Sequence, residues 1–133
     1  MTRFVIDAST LLHIVATGIR VDPSPQIVAP GTIRSQALAL LLAAVRAGDL
    51  TDGEALEQHE RLTALKMRLL GDRVSRRTAW RLARDHAWET TYEAEYIAVT
   101  ALQADALITI DPALASTAEG LVPLADLDSL IDF

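Results

Sequence analysis

Two aspartates leave hydrophobic segments at their carboxyl ends, Asp7 after RFVI and Asp111 after ALITI. A third acid, Glu93, stands near the start of an apolar helical run. From Thr91 to Leu114 (TYEAEYIAVTALQADALITIDPAL) the chain reads as that helix, a short turn, a buried strand and the aspartate that ends it. Open α/β sheets place their ligands just beyond the carboxyl ends of their strands, and carboxylates gathered there suit a hard cation bound through oxygen. Such a cation supports phosphodiester cleavage, because it activates water and neutralises charge on the phosphoryl oxygens. Two carboxylates about 4 Å apart repel by roughly 4 kcal/mol at an effective dielectric of 20. A divalent ion between them relieves that strain.

Each acid also has a structural reading. Asp7 could be a strand-end turn residue or a helix cap, but Ser9 and Thr10 offer caps of their own, which favours the cation role. Asp111 precedes Pro112 and could be an ordinary N-cap; its pairing with Asp7 and Glu93 argues for more. Glu95 is a rival to Glu93, yet positions two apart on a helix point in nearly opposite directions, so the two cannot readily share a site. Periodicity does not choose between them, since Ala94, Ile97, Ala98, Val99, Ala101 and Leu102 make that helix apolar on nearly every side. Ser9 and Thr109, beside the two aspartates, could orient ligands or bond local backbone. His13, His59 and His86 have no spacing that suggests a metal site.

The elements that must position these residues alternate between helix and strand patterns, which favours a sheet covered by helices. Strands are expected at Arg3 to Asp7, Ile27 to Ala29, Ala106 to Ile110 and Leu121 to Pro123. Helices are expected from Ser9 or Thr10 to Ala16, from Thr32 to Ala47, and from Thr51, with Glu54 in a capping box, to about Leu69. Further helices run from Ser75 to His86, from Thr90 or Thr91 to Ala104, briefly after Pro112, and from Asp126 to Ile131. The segment Gly18 to Gln26, with Asp22, Pro23, Ser24 and Pro25, is a loop.

The 133 residues fit one domain with a core of useful size. The longest uninterrupted apolar run, Ala37 to Val45, is nine residues, far short of the roughly 20 that span a bilayer. Its leucines and alanines are expected mainly in the core, with an edge available to a partner; Trp80 and Trp88 are read the same way. The opening strand is expected to leave no room for a secretion signal, and the absence of cysteine excludes disulfides, thiolate catalysis and zinc-thiolate sites. A cytoplasmic location is expected. The net charge of -6 argues against indiscriminate nucleic-acid binding. It conceals a band, however: Arg61 to Arg84 holds eight Lys or Arg and one acid, for +7, against -13 over the rest of the chain. That band is either a solvated helix surface or a strip that holds a phosphate backbone. Arg77, Arg81 and Arg84 fall on one helix face, where they could grip RNA or pair with Asp85 and Glu89.

Taken in order, VIDAST at the first strand, VAP before the second helix, the helix entered at LTDGEA, ARDHAWETTYEAEYIAVTALQADALITIDPAL and VPLADLDSL resemble a PIN domain, specifically the toxin of a VapBC toxin-antitoxin pair. The resemblance covers nearly the whole chain and rests on order and spacing together. It implies a three-layer α/β/α sandwich with a mostly parallel sheet, endoribonuclease activity using Mg2+ or Mn2+ held by acidic residues, a homodimer, and a VapB-like antitoxin that blocks the site. The family's first and last acids fall on Asp7 and Asp111. The acid of its YDA motif falls on Glu93 in YEA, eighteen residues before Asp111, and its remaining glutamate falls on Gln36.

Glu93 keeps the charge on a longer arm. Gln36 keeps a carbonyl oxygen but loses the charge and any base function, and it could instead be a buried glutamine satisfied by backbone. Two readings follow from the resemblance: a metal-dependent ribonuclease with Asp7, Glu93 and Asp111 on the metal and Gln36 as a weakened fourth position, or an impaired module that binds antitoxin or RNA without cleaving. A haloacid-dehalogenase-like phosphatase with Asp7 as nucleophile fits poorly, because Ser9 stands where its second acid belongs and Lys66 is the only lysine.

Overall fold

The computed structural model describes residues 1–133. Five strands, β1 (Arg3–Ile6), β2 (Gln26–Pro30), β3 (Arg68–Leu70), β4 (Ala106–Ile108) and β5 (Leu124–Ala125), form one sheet in the order β3-β2-β1-β4-β5. Every pairing in it is parallel. The helices are α1 (Ala8–Thr17), α2 (Ile33–Arg46), α3 (Asp52–Ala64), α4 (Arg73–Asp85), α5 (Tyr92–Gln103) and α6 (Pro112–Ala118), with a 3-10 turn at Leu127–Leu130. The architecture is a three-layer α/β/α sandwich.

Parallel strands need crossover helices and are buried on both faces, which explains why the central strands lack alternation. Val5, Ile6, Val28, Ala29, Leu107 and Ile108 are fully enclosed. β1 pairs with β2 on one side (Phe4 with Ile27) and with β4 on the other (Val5 with Leu107). The chain moves outward from β1 through β2 to β3, then returns across the sheet to β4. α1, α2 and α3 pack against one another, while α5 lies across β1, β2 and β4 and carries α4 on its outer side. The order reverses between β1 and β4, so the crevice opens at their carboxyl ends.

Several expected boundaries move. The helix begun at Thr51 has its capping box with Glu54 but stops at Ala64 rather than Leu69, and Arg68–Leu70 joins the sheet beside β2. Lys66, Met67, Arg68, Leu69 and Leu70 contain no breaker and favour helix locally, so the strand is imposed by the open side of β2. The last strand lies at Leu124–Ala125, just after the expected Leu121 to Pro123. The helix caps also shift. α1 is capped by Asp7 and α4 by Asp72, whose carboxylate accepts from the Ser75 amide at 2.8 Å; neither Ser9, Thr10 nor Ser75 serves.

The Ala37 to Val45 segment is also less buried than expected. Only Ala37 and Leu41 within it are enclosed, while Leu38 and Leu42 are 49% and 52% exposed. No helix is long and apolar enough to cross a membrane. Leu107 lies at the centre of the core with no exposed surface. Leu107→Ala should therefore cost about 2–5 kcal/mol of unfolding free energy in a urea titration.

Candidate functional site

Local chain geometry aims the acids. β1 ends at Ile6, and the next residue, Asp7, turns out of the sheet in extended conformation to start α1, accepting the Thr10 amide at 3.3 Å on Oδ1. β4 ends at Ile108, and Asp111 starts α6 in the same manner, with Oδ1 accepting the Ala113 amide at 2.9 Å and Pro112 in the first turn. Both aspartates are thus helix caps as well as strand-end acids. A cap uses one carboxylate oxygen, and the second remains for other bonds.

Thr10 joins the two strand ends. Its hydroxyl donates to Asp7 Oδ1 and accepts the Ile110 amide at 3.0 Å, and the residue has no exposed surface. Read from sequence, Thr10 was only a possible cap. Its type gave no sign that the hydroxyl would reach a strand a hundred residues away. Thr109 bonds local backbone, its hydroxyl accepting the Asp111 amide at 3.0 Å.

Asp7, Gln36, Glu93 and Asp111 all line one open cavity of about 680 Å³, together with Ser9, Thr32, Tyr92 and Tyr96. Glu95 does not line it. The side of α5 that meets the cavity carries Glu93 and leaves Glu95 outside it. Gln36 is held by a side chain and not by backbone: its Oε1 accepts from the Tyr96 hydroxyl. Tyr96, buried on α5, is a cavity residue that sequence reading passed over as one more aromatic on an apolar helix. The Thr32 hydroxyl, also at the cavity, is enclosed and finds no protein partner.

The electrostatics follow from this crowding. Burial pushes the Asp7 carboxyl above its ordinary value, against the pull of the Thr10 and Thr109 hydroxyls. Glu93 is raised too, first by burial and then by the charges of Asp111 and Asp7. Burial, with the Asp7 charge behind it, also raises Tyr96, which stays a neutral hydroxyl donor. Glu93 thus feels the charges of both aspartates, yet no three acidic or histidine side chains stand close enough to form a metal cage. Mg2+ demands near-octahedral oxygens at about 2.0–2.1 Å. As arranged, each aspartate keeps one oxygen outside its helix cap, but no three acids converge and Gln36 is bonded to Tyr96, so the donors do not form a ready octahedral set.

The basic band is only partly compensated. Arg84 Nε lies 3.0 Å from Asp85 and Arg61 pairs with Glu57 at 2.6 Å, whereas Arg77 and Arg81 have no acidic partner. Glu89 pairs with neither. His86 stacks on Trp88, with centroids 4.8 Å apart, and bonds the Leu82 carbonyl at 2.8 Å, a structural role.

Two outcomes follow for the buried pair. Removing the Thr10 hydroxyl in Thr10→Val leaves the Ile110 amide without its acceptor and should cost about 1–3 kcal/mol in chemical denaturation. The folded protein holds the Asp7 proton more tightly than the unfolded chain does, so ionised Asp7 weakens folding above its folded pKa and the penalty vanishes below the unfolded one. Asp7→Asn, which preserves a capping oxygen, should therefore raise Tm by a few degrees at neutral pH, and the gain should shrink as pH falls towards the ordinary aspartate value of 3.8.

No family model matches the chain, and no curated protein matches it either. Among solved structures, it is similar to the crystal structure of PAE2754 from Pyrobaculum aerophilum, with a TM-score of 0.70 and 19% sequence identity over 96% of this chain and 92% of that one. At that identity the likeness establishes a shared α/β/α fold.

Proposed function

We propose that this chain is a PIN-like module that binds RNA, and that its acidic cleft is an impaired form of a metal-dependent nuclease centre. The observation that carries this reading is the commitment of the donors. Asp7 and Asp111 cap helices, Gln36 is tied to Tyr96, and the three carboxylates share a cavity without converging on one point. The arginines of α4, several without acidic partners, supply the phosphate-binding surface. Exposed Leu38 and Leu42 on α2 offer an apolar face to a second copy or to an antitoxin segment.

In this reading the chain's own groups have plain roles. The Tyr96 hydroxyl orients the Gln36 amide, the Thr10 hydroxyl fixes Asp7, and Asp7 with Glu93 can hold a proton in the cleft at a higher pH than free carboxyls do.

One observation favours the second reading, a working Mg2+- or Mn2+-dependent ribonuclease of the VapC kind. Glu93 is raised in part by Asp111 and Asp7, and mutual repulsion of this sort is what a divalent cation relieves. A pair of assays separates the two. RNA binding is followed by fluorescence anisotropy without divalent ions, and cleavage of the same RNA is followed with added Mn2+. The proposal expects binding with negligible cleavage in the natural protein. It further expects cleavage to rise by about tenfold to a hundredfold in Gln36→Glu with Glu93→Asp, since misplacement by about 1 Å costs that much. Efficient Mn2+-dependent cleavage by the natural chain, abolished in Asp7→Asn, would establish the nuclease instead.

A further inference from the structure

The outward face of α4 contains more than charge. Positions 73, 76, 77, 80, 81 and 84 recur at three- and four-residue intervals, so Arg73, Arg76, Arg77, Arg81 and Arg84 surround Trp80 on one side of the helix. Trp80 is 63% exposed. The opposite side is small and enclosed: Ala79 and Ala83 pack on Ala94 and Ala98 of α5. Short side chains let the two helices approach closely, so α4, which bears the arginine and tryptophan face, packs directly on α5, the helix that brings Glu93 to the cleft.

This face carries two unrelieved costs. Arg73, Arg77 and Arg81 are spaced i, i+4, an arrangement in which like charges destabilise a helix by about 0.2–0.5 kcal/mol per pair. Only Arg84, through Asp85, has an acid within ion-pair distance. The indole, meanwhile, presents apolar ring surface to water at the centre of the cations. A polyanion removes the first cost and a flat ring laid on the indole removes the second. Single-stranded RNA supplies both at once, since its phosphates meet guanidinium groups while an unpaired base stacks on the aromatic. A duplex keeps its base faces inside its own stack. An acidic peptide would satisfy the arginines but has no use for a lone flat indole on a convex helix.

We propose that the outward face of α4 is a binding platform for single-stranded RNA, with Trp80 as the residue on which one unpaired base stacks and Arg73, Arg76, Arg77 and Arg81 as the phosphate contacts. The inference rests on the RNA-binding reading above and narrows it to unpaired strands. α4 and α5 are joined by the short segment from residue 86 to 91, so a strand that leaves the Arg84 end of the platform meets the side of the cleft where Trp88, Thr90 and Glu93 border a small cavity.

The test uses the full chain carrying Asp7→Asn, in buffer free of divalent ions, so that binding is read without cleavage. An oligoribonucleotide of about 12 nucleotides is titrated as a single strand and, separately, annealed to its complement, with circular dichroism confirming that each variant is folded. Trp80→Ala should weaken single-strand binding by about tenfold, the scale of one lost base stack, and leave duplex binding within about twofold. Trp80→Phe should restore most of the loss. Arg77→Glu with Arg81→Glu should weaken both forms. Equal single-strand affinity in Trp80→Ala and its parent would overturn the platform while leaving RNA binding intact. Absence of RNA binding by the parent would overturn both, and Trp80-dependent binding of a poly-glutamate peptide in place of RNA would reassign the face to a protein partner.

Discussion

The site depends on one hydroxyl that holds two strand ends together. Thr10 donates to Asp7 and accepts from the Ile110 amide, so the chain leaving β1 and the chain leaving β4 are tied at the point where the sheet order reverses. In a parallel sheet the backbones separate there, each turning towards a helix on a different face, and a crevice is the geometric result. Without a buried donor between them, the Asp7 carboxylate would stand in a desolvated gap with its charge uncompensated. Thr10 closes the base of that gap and leaves its mouth to Gln36, Glu93 and Asp111.

The cleft illustrates how one side chain comes to hold two jobs. Asp7 and Asp111 complete the first turns of α1 and α6 with one oxygen each. Asp72, which does not line the cleft, does the same for α4. The difference lies in surroundings: Asp72 is exposed and its carboxyl is lowered by the amide it accepts from, whereas burial lifts Asp7. Capping by an acid is ordinary chemistry. Capping by an acid held in a shared cavity with two others concentrates negative potential, and Gln36 tempers it by contributing an oxygen without a charge.

Much of this was legible in the residues themselves. RFVI and ALITI are short, mainly apolar runs each followed at once by an acid, and alternation with helical segments pointed to a layered sandwich. Asp7, Gln36, Glu93 and Asp111, singled out by type and spacing, line one cavity. What could not be read depended on long-range partners. β3 is built from residues that favour helix and is a strand only because β2 has an open side. Thr10 and Tyr96 look generic until Ile110 and Gln36 are placed beside them. α2 reads as core because of its leucines, yet it packs mainly on α1 and α3, and only Ile33, Ala37 and Leu41 are enclosed.

The shortness of β3 and β5 has a further effect. An open sheet offers unpaired amides and carbonyls along both outer margins, and a chain with positive mean hydropathy, +0.23 here, is at risk of recruiting foreign strands through them. At one margin the template is three residues long and begins with a charged guanidinium, Arg68; at the other it is two residues long and is followed at once by Asp126. Neither margin offers a foreign strand more than three residues to pair with, so the molecule leaves apolar helix surface in water while presenting little open sheet edge.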